Sequence, residues 1–235
     1  MRTLNILSVD LDYFNYRSDY GSVPDTRKEV TAFFERLVQW NHLPTKIAWM
    51  REHQYLYPWS LRLLRSRRAQ KVNVVNVDEH HDFYSVGTLK DFKRAHVSCA
   101  NFFGFMVYDG ILNHYEWVNN ERQHSNRWGR DEVVNECEIN CNPKVARWGN
   151  RSAHLLHVWG LKRVWSALEG RVFDGVAIIE SPAYTRKLGT IRNAAQKVLR
   201  AEGFEVKTHQ CKTDFHYSRR KKVDMRPIFK AARMA

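Results

Sequence analysis

Residues Val72 to Val77 read V-N-V-V-N-V and run straight into Asp78-Glu79-His80-His81-Asp82. The β-branched run is the strongest strand in the chain, and the charged and imidazole side chains after it cannot continue into an apolar core. In an extended chain, residues two apart share a face. Asp78, His80 and Asp82 therefore point one way, while Glu79 and His81 point elsewhere. Two other short apolar runs end in the same manner. Leu4 to Val9 leads into Ser8-Val9-Asp10-Leu11-Asp12, which sets Asp10 and Asp12 on one side, and Lys46 to Met50 leads into Arg51-Glu52-His53. Open parallel sheets bind ligands just beyond the carboxyl ends of their strands.

The remaining periodicities predict alternating helices and strands. Thr26 to Trp40 carries Val30, Phe33, Phe34, Leu37 and Val38 at the spacing of an amphipathic helix, capped by Asp25 or Thr26 and ended by Asn41 to Pro44. Helices are predicted over Pro58 to Arg67, Ser98 to Leu112 and Thr190 to Glu202, the last closed by Gly203. Strands are predicted over Leu155 to Trp159, Gly175 to Ile179 and Phe204 to Thr208. That order implies an α/β sandwich with a mainly parallel sheet in one domain spanning residues 1–235. Asn113 to Asn150 is polar and Trp-rich and reads as an insertion or a site rim, and a basic tail starts at about residue 217.

Bringing four carboxylates together is costly, because two unit charges 4 Å apart repel by about 4 kcal/mol at an effective dielectric near 20. One or two divalent cations remove that cost. Mixed carboxylate and imidazole ligands suit Mn²⁺, Fe²⁺ or Zn²⁺, and no thiolate lies near enough in sequence to make a structural zinc cage. Asp10, Asp12, His53, Asp78, His80 and Asp82 are the expected ligands. A single D-x-D would be an ordinary acidic turn. D-x-H-x-D after a buried strand, joined by a second D-x-D strand end, is a metal pattern.

The pair S-V-D-L-D (Ser8 to Asp12) and D-E-H-H-D (Asp78 to Asp82) resembles the two metal motifs of the arginase/deacetylase superfamily, S-x-D-x-D and D-x-H-x-D. Within it, the chain looks closest to the branch that includes peptide arginases, which convert arginine side chains of peptides to ornithine and urea. The resemblance covers mainly residues 4–14, 47–54, 72–102 and 174–185. It implies a three-layer α/β/α sandwich and two Mn²⁺ ions. One ion would be held by His53, Asp78, Asp82 and Asp10, the other by His80, Asp78, Asp10 and Asp12. It also implies that Asp82 accepts or relays a proton, that Glu180 in Glu180-Ser181-Pro182 anchors the substrate guanidinium, that His96 shuttles protons, and that Asn101 lies at the rim. The chain departs from the family in three places. Its D-x-D strand comes first, Arg51-Glu52 replaces the Gly-rich lead-in to the first histidine, and Tyr13-Phe14 replaces a Gly-containing turn.

Two other functional classes compete. A deacetylase-like amide hydrolase would use the Asp-His-Asp set with one Zn²⁺ or Fe²⁺. A nucleic-acid-binding protein or nuclease is allowed by the net charge of +13, by eight tryptophans, and by basic stretches at Arg62 to Lys71, Arg186 to Arg200 and Arg219 to Arg233. The same basic surface would equally dock an acidic leader peptide. Cys137 and Cys141, with His124 or His154, lack a second matched pair and read as ordinary cysteines, and Cys99 and Cys211 add no disulfide framework. No apolar run reaches the ~18–20 residues that cross a bilayer. The N-terminal residues make a poor signal peptide, so a reduced, cytoplasmic protein with no membrane partner is expected.

Overall fold

The computed structural model describes residues 2–14, 26–40, 42–80, 82, 96–99, 101–119, 144–148, 151–159, 165, 167–209 and 215–216. In chain order the elements are β1 (Thr3–Asp10), α1 (Thr26–Trp40), β2 (Lys46–Met50), α2 (Leu56–Ser66), β3 (Lys71–Val77), β4 (His96–Val97), α3 (Phe102–Tyr108) and β5 (Leu112–Asn119). They continue with β6 (Lys144–Trp148), β7 (Arg151–Trp159), β8 (Gly175–Ile179), α4 (Leu188–Ala201), β9 (Glu205–His209) and β10 (Phe215–His216). Short 3₁₀ turns follow β1 (Leu11–Phe14) and β2 (His53–Tyr55).

An 8-stranded sheet runs β6-β7-β5-β3-β1-β8-β2-β9. Its pairings are parallel except for β6 with β7 at one edge. The chain thus has the α/β architecture that the alternating pattern implies. β1 lies between β3 and β8, with Val9 opposite Val77 and Ile178. The strand ends that carry Asp10 and Asp78 are therefore neighbours.

Alternation along each strand divides the apolar side chains between two cores. Leu4, Ile6, Ala48, Met50, Val72, Val74, Ala177 and Ile179 pack with Leu56, Tyr57 and Leu64 of α2 and with Phe102, Phe103 and Phe105 of α3. Leu7, Val9, Ile47, Trp49, Val75, Val77, Val176 and Ile178 pack with Val30, Phe34 and Leu37 of α1 and with Ile191, Ala195 and Leu199 of α4. Hydrophobic burial on both faces fixes the register of the interior strands, because a slip of one residue would exchange the two sets.

α4 and α2 end through the same device before the next strand. After α4, Gly203 sits at φ 79°, its N–H bonds Arg200 O, and Phe204 N bonds Leu199 O. This left-handed cap satisfies the last carbonyls. After α2 the equivalent position is Arg68 at φ 52°, with Ala69 N bonded to Leu64 O. A side chain is strained there, where glycine is not.

Two segments differ from the sequence reading. The helix expected over Ser98 to Leu112 is confined to Phe102–Tyr108. Gly110, at φ 71°, closes it and turns the chain into β5. The start of the polar stretch from Asn113 is not an insertion but part of β5, an interior parallel strand between β3 and β7. Its strand signal was disguised by Glu116, a buried carboxylate that receives Arg171 Nη1 at 2.7 Å and Nη2 at 3.2 Å. Tyr115 and Trp117 face the α2/α3 core in ordinary alternation. Residues 120–143, Asp25, Cys137, Cys141, Cys211, His124 and the basic tail lie outside the described residues.

Candidate metal centre

Asp10, Asp12, His53, Asp78, His80 and Asp82 converge on one cavity of about 300 Å³ at the carboxyl end of the central strands, where Cys99, Ser181 and Tyr184 also line it. Strand parity explains the convergence. Ser8 and Asp10 continue the face of Leu4 and Ile6, Asn76 and Asp78 continue that of Val72 and Val74, and Ser8 lies opposite Asn76 in the register. The 3₁₀ turn after β1 brings Asp12 back to the same site. His53, one turn past β2, packs its ring 4.9 Å from that of Phe102 and 6.0 Å from that of Phe103. The four aspartates and His53 are almost wholly buried, while His80 is about one-third exposed.

The side chain of His53 reaches three carboxylates at once. Its Nδ1 lies 3.1 Å from Asp10 Oδ2, 3.2 Å from Asp78 Oδ2 and 2.7 Å from Asp82 Oδ2. None of these approaches has hydrogen-bond geometry, so Nδ1 is a buried nitrogen without a hydrogen-bond partner. Its Nε2 lies 2.9 Å from Ser8 Oγ. A ring that donates from Nε2 to Ser8 presents Nδ1 as a ligand atom, the usual arrangement of a metal-bound histidine and its outer partner. His80 Nδ1 lies 3.0 Å from Asp12 Oδ2 on the other side of Asp78.

The carboxylates are themselves held from behind. Asn76 Nδ2 donates to Asp78 Oδ2 at 2.9 Å, and His80 N donates to Asp78 Oδ1 at 2.8 Å. Asp12 N donates to Asp10 Oδ1 at 3.1 Å, and Ser181 Oγ donates to Asp10 Oδ2. Trp117 Nε1 holds the Asp78 carbonyl at 3.1 Å. Two residues of the site, Asp82 at φ 53° and Ser181 at φ 41°, occupy the left-handed region. Such backbone costs on the order of 1–3 kcal/mol per residue and gathers at functional sites.

Charge crowding shifts the ionisation of acids and bases in the same direction. Burial, with the Asp82 and Asp10 charges, pushes Asp78 up to about 6 against the pull of His53. Burial and the Asp10 and Asp78 charges hold Asp12 well above the usual carboxylate range, and burial raises Asp82 despite His53. Burial disfavours charge on both imidazoles, yet Asp82 and its neighbours raise His53 well above its ordinary value, and Asp12 carries His80 to about 10. Each shift has one remedy, added positive charge. Asp10, His53 and Asp78 form one group whose ligand atoms lie within 4.8 Å of one another, and Asp12, Asp78 and His80 form another. Asp78 belongs to both. The donor set, the sharing of Asp78 and an Nδ1 that three carboxylates crowd without an aligned hydrogen bond fit divalent cations.

Three other residues singled out by the sequence do not join this cluster in the same way. Glu180 was expected to face the substrate, but it follows the parity of Val176 and Ile178 towards the other core. There its Oε1 accepts Trp49 Nε1 at 2.8 Å and pairs with Arg192 Nε at 3.0 Å. The cavity receives the next residue, Ser181. Asn101 is buried at the start of α3, where its Oδ1 accepts Ser98 N at 2.9 Å, and it does not line the cavity. His96 pairs through its backbone with His216 in the β4–β10 ribbon, and its side chain lies outside the described residues. Ser181, Cys99 and Tyr184 were missed. Only the alternation Ala177, Ile179, Ser181 could have identified the first.

No protein-family model, curated protein or solved structure matches the chain. No helix among the described residues is long and apolar enough to cross a membrane.

Proposed function

We propose that the chain is a metal-dependent hydrolase of the arginase/deacetylase type, a three-layer α/β/α sandwich that hydrolyses the guanidinium of a peptidyl arginine to ornithine and urea. The observation that supports it most is the buried Nδ1 of His53, aimed at oxygens of Asp10, Asp78 and Asp82 without hydrogen-bonding any of them. His53, Asp10, Asp78 and Asp82 would hold one Mn²⁺, and Asp12, Asp78, Asp10 and His80 a second. Bound there, such ions would supply Lewis acidity and a water of lowered pKa.

The chain's own residues supply the rest. Asp82, on a strained backbone beside His53, accepts the proton released as the water attacks and holds it for the departing amine. Ser8, Asn76 and Ser181 fix the ligand side chains, so little reorganisation accompanies turnover. Glu180 has no part in substrate binding here, since Arg192 and Trp49 already engage its carboxylate.

A single-metal amide hydrolase is the alternative, and the two ligand groups meeting at Asp78 favour the two-metal reading over it. The basic stretch Arg62 to Lys71 runs from α2 into the first residue of β3, at the opposite end of that strand from Asp78. The deciding assay incubates Mn²⁺-loaded protein with an arginine-containing peptide and with free arginine, and measures urea. Urea from the peptide supports the proposal. Absence of urea from both, with deacylation of an acyl-lysine peptide by a one-Zn²⁺ form, would overturn it.

A further inference from the structure

Tyr184 stands at the mouth of the acidic cavity in an unusual state for a large aromatic. It is 52% exposed, and among the described residues the other exposed large hydrophobic is Val172, far from the site at the start of the β8 segment. Exposed aromatics on monomers are common enough singly, so position decides. Tyr184 lines the cavity beside His80 and Cys99, its ring centroid 5.6 Å from that of His80 and its hydroxyl 4.0 Å from Cys99 Sγ.

The ring is also held in place. Tyr184 N donates to Ser181 O at 2.9 Å, and Thr185 N donates to the same carbonyl at 2.8 Å. Ser181 is tied to Asp10 through its hydroxyl, and Thr185 Oγ1 is tied to the Glu180 carbonyl. The turn that carries the ring is thus anchored directly to one of the cavity's carboxylates. The result is a half-exposed aromatic ring at the rim of a cavity lined by four buried aspartates.

We propose that Tyr184 is a specificity-determining residue that stacks on a planar, delocalised cation entering the cavity, and so selects a guanidinium over an ammonium of equal charge. This assignment rests on the hydrolase reading for its biological sense, but not for its test. Charge alone does not distinguish the two cations. A guanidinium is flat and weakly hydrated, so it sheds water and lies against an aromatic face, whereas an ammonium is compact and strongly hydrated. The ring, not the hydroxyl, makes that distinction.

The test compares binding of n-butylguanidine and n-butylamine to Mn²⁺-loaded protein by titration calorimetry, for the wild type, Tyr184→Phe and Tyr184→Leu. Wild type and Tyr184→Phe should agree within about threefold, while Tyr184→Leu should lose roughly 5- to 30-fold in affinity for n-butylguanidine and change little for n-butylamine. With an arginine peptide, Tyr184→Leu should raise KM by a similar factor at nearly constant kcat. Equal n-butylguanidine affinity in Tyr184→Leu and wild type overturns the assignment. So does a loss in Tyr184→Phe as large as in Tyr184→Leu, which would place the effect on the hydroxyl. Ring-dependent binding without urea release leaves Tyr184 assigned and refutes the hydrolase; urea release indifferent to Tyr184 does the reverse.

Discussion

Raising the pH of chelator-treated protein from 5 to 7.5 should destabilise it, and Mn²⁺ should reverse the trend. Asp78 rises from 3.8 to about 6 in the folded chain, with burial as the first cause and the Asp82 and Asp10 charges next. A folded-state value above the unfolded one contributes stability that is complete below pH 3.8 and is lost as the pH climbs through 6. The shift of some two units amounts to about 3 kcal/mol. About half of that, between about 1 and 2 kcal/mol, disappears between pH 5 and 7.5. For a domain of this size the loss lowers Tm by about 3–6 °C. Asp12 is raised for similar reasons and adds to the same slope. His80, raised to about 10, contributes stability present below 6.5 and lost as the pH approaches 10, which also runs downward. Saturating Mn²⁺ competes with those protons, so its stabilisation should grow with pH, reaching about 2.7 kcal/mol at a hundredfold excess over Kd. Differential scanning calorimetry of wild type and Asp78→Asn, each with chelator and with Mn²⁺, isolates the effect from the rest of the molecule. The difference in Tm between the two chelated proteins should change by about 3–6 °C across the window. An unchanged difference, together with no Mn²⁺ stabilisation of the wild type at pH 7.5, would refute the reasoning.

Three further outcomes follow from individual contacts. Ser181→Ala and Ser181→Gly both remove the hydroxyl that steadies Asp10 and should weaken Mn²⁺ binding about 10- to 100-fold, with glycine recovering stability because its backbone tolerates φ 41°; equal affinity in both variants and the wild type counts against the positioning role. Glu180→Gln should lower stability by about 1–2 kcal/mol through its contacts to Arg192 and Trp49, while Mn²⁺ affinity stays constant and kcat stays within about threefold. A hundredfold fall in kcat at normal Tm would return Glu180 to the substrate. Arg68→Gly should stabilise the chain by about 0.5–1 kcal/mol in urea titrations, since the left-handed cap after α2 is strained for arginine, and a destabilised variant would show that the arginine side chain matters more than the backbone.

The strand ends were legible because their chemistry is local. Asp10, Asp78 and His53 each follow an apolar run, and period-two alternation sets which side chains share a face once the run is known to be a strand. The register of β1 on β3 then makes Asp10 and Asp78 neighbours. Glu180 is placed apart from the cluster by the same rule: a family resemblance singles it out, while its parity sets it with Val176 and Ile178, against Trp49 and Arg192. β5 was hidden because a strand buried on both faces is read from apolar content, and Glu116 hides that content behind a charge neutralised by Arg171, 55 residues away in sequence. Tyr184 carried no pattern at all. Its place at the cavity depends on the turn from Ser181 to Thr185, which is fixed by a hydroxyl bond to Asp10 at the end of the neighbouring strand β1.

The most direct trial of the metal centre is anomalous diffraction from crystals grown with Mn²⁺. Two peaks are predicted, one ligated by His53 Nδ1 with Asp10, Asp78 and Asp82, and one by His80 with Asp10, Asp12 and Asp78. A well-ordered cavity with no anomalous peak at saturating Mn²⁺, its aspartates joined only by hydrogen bonds to the two imidazoles, would contradict the account.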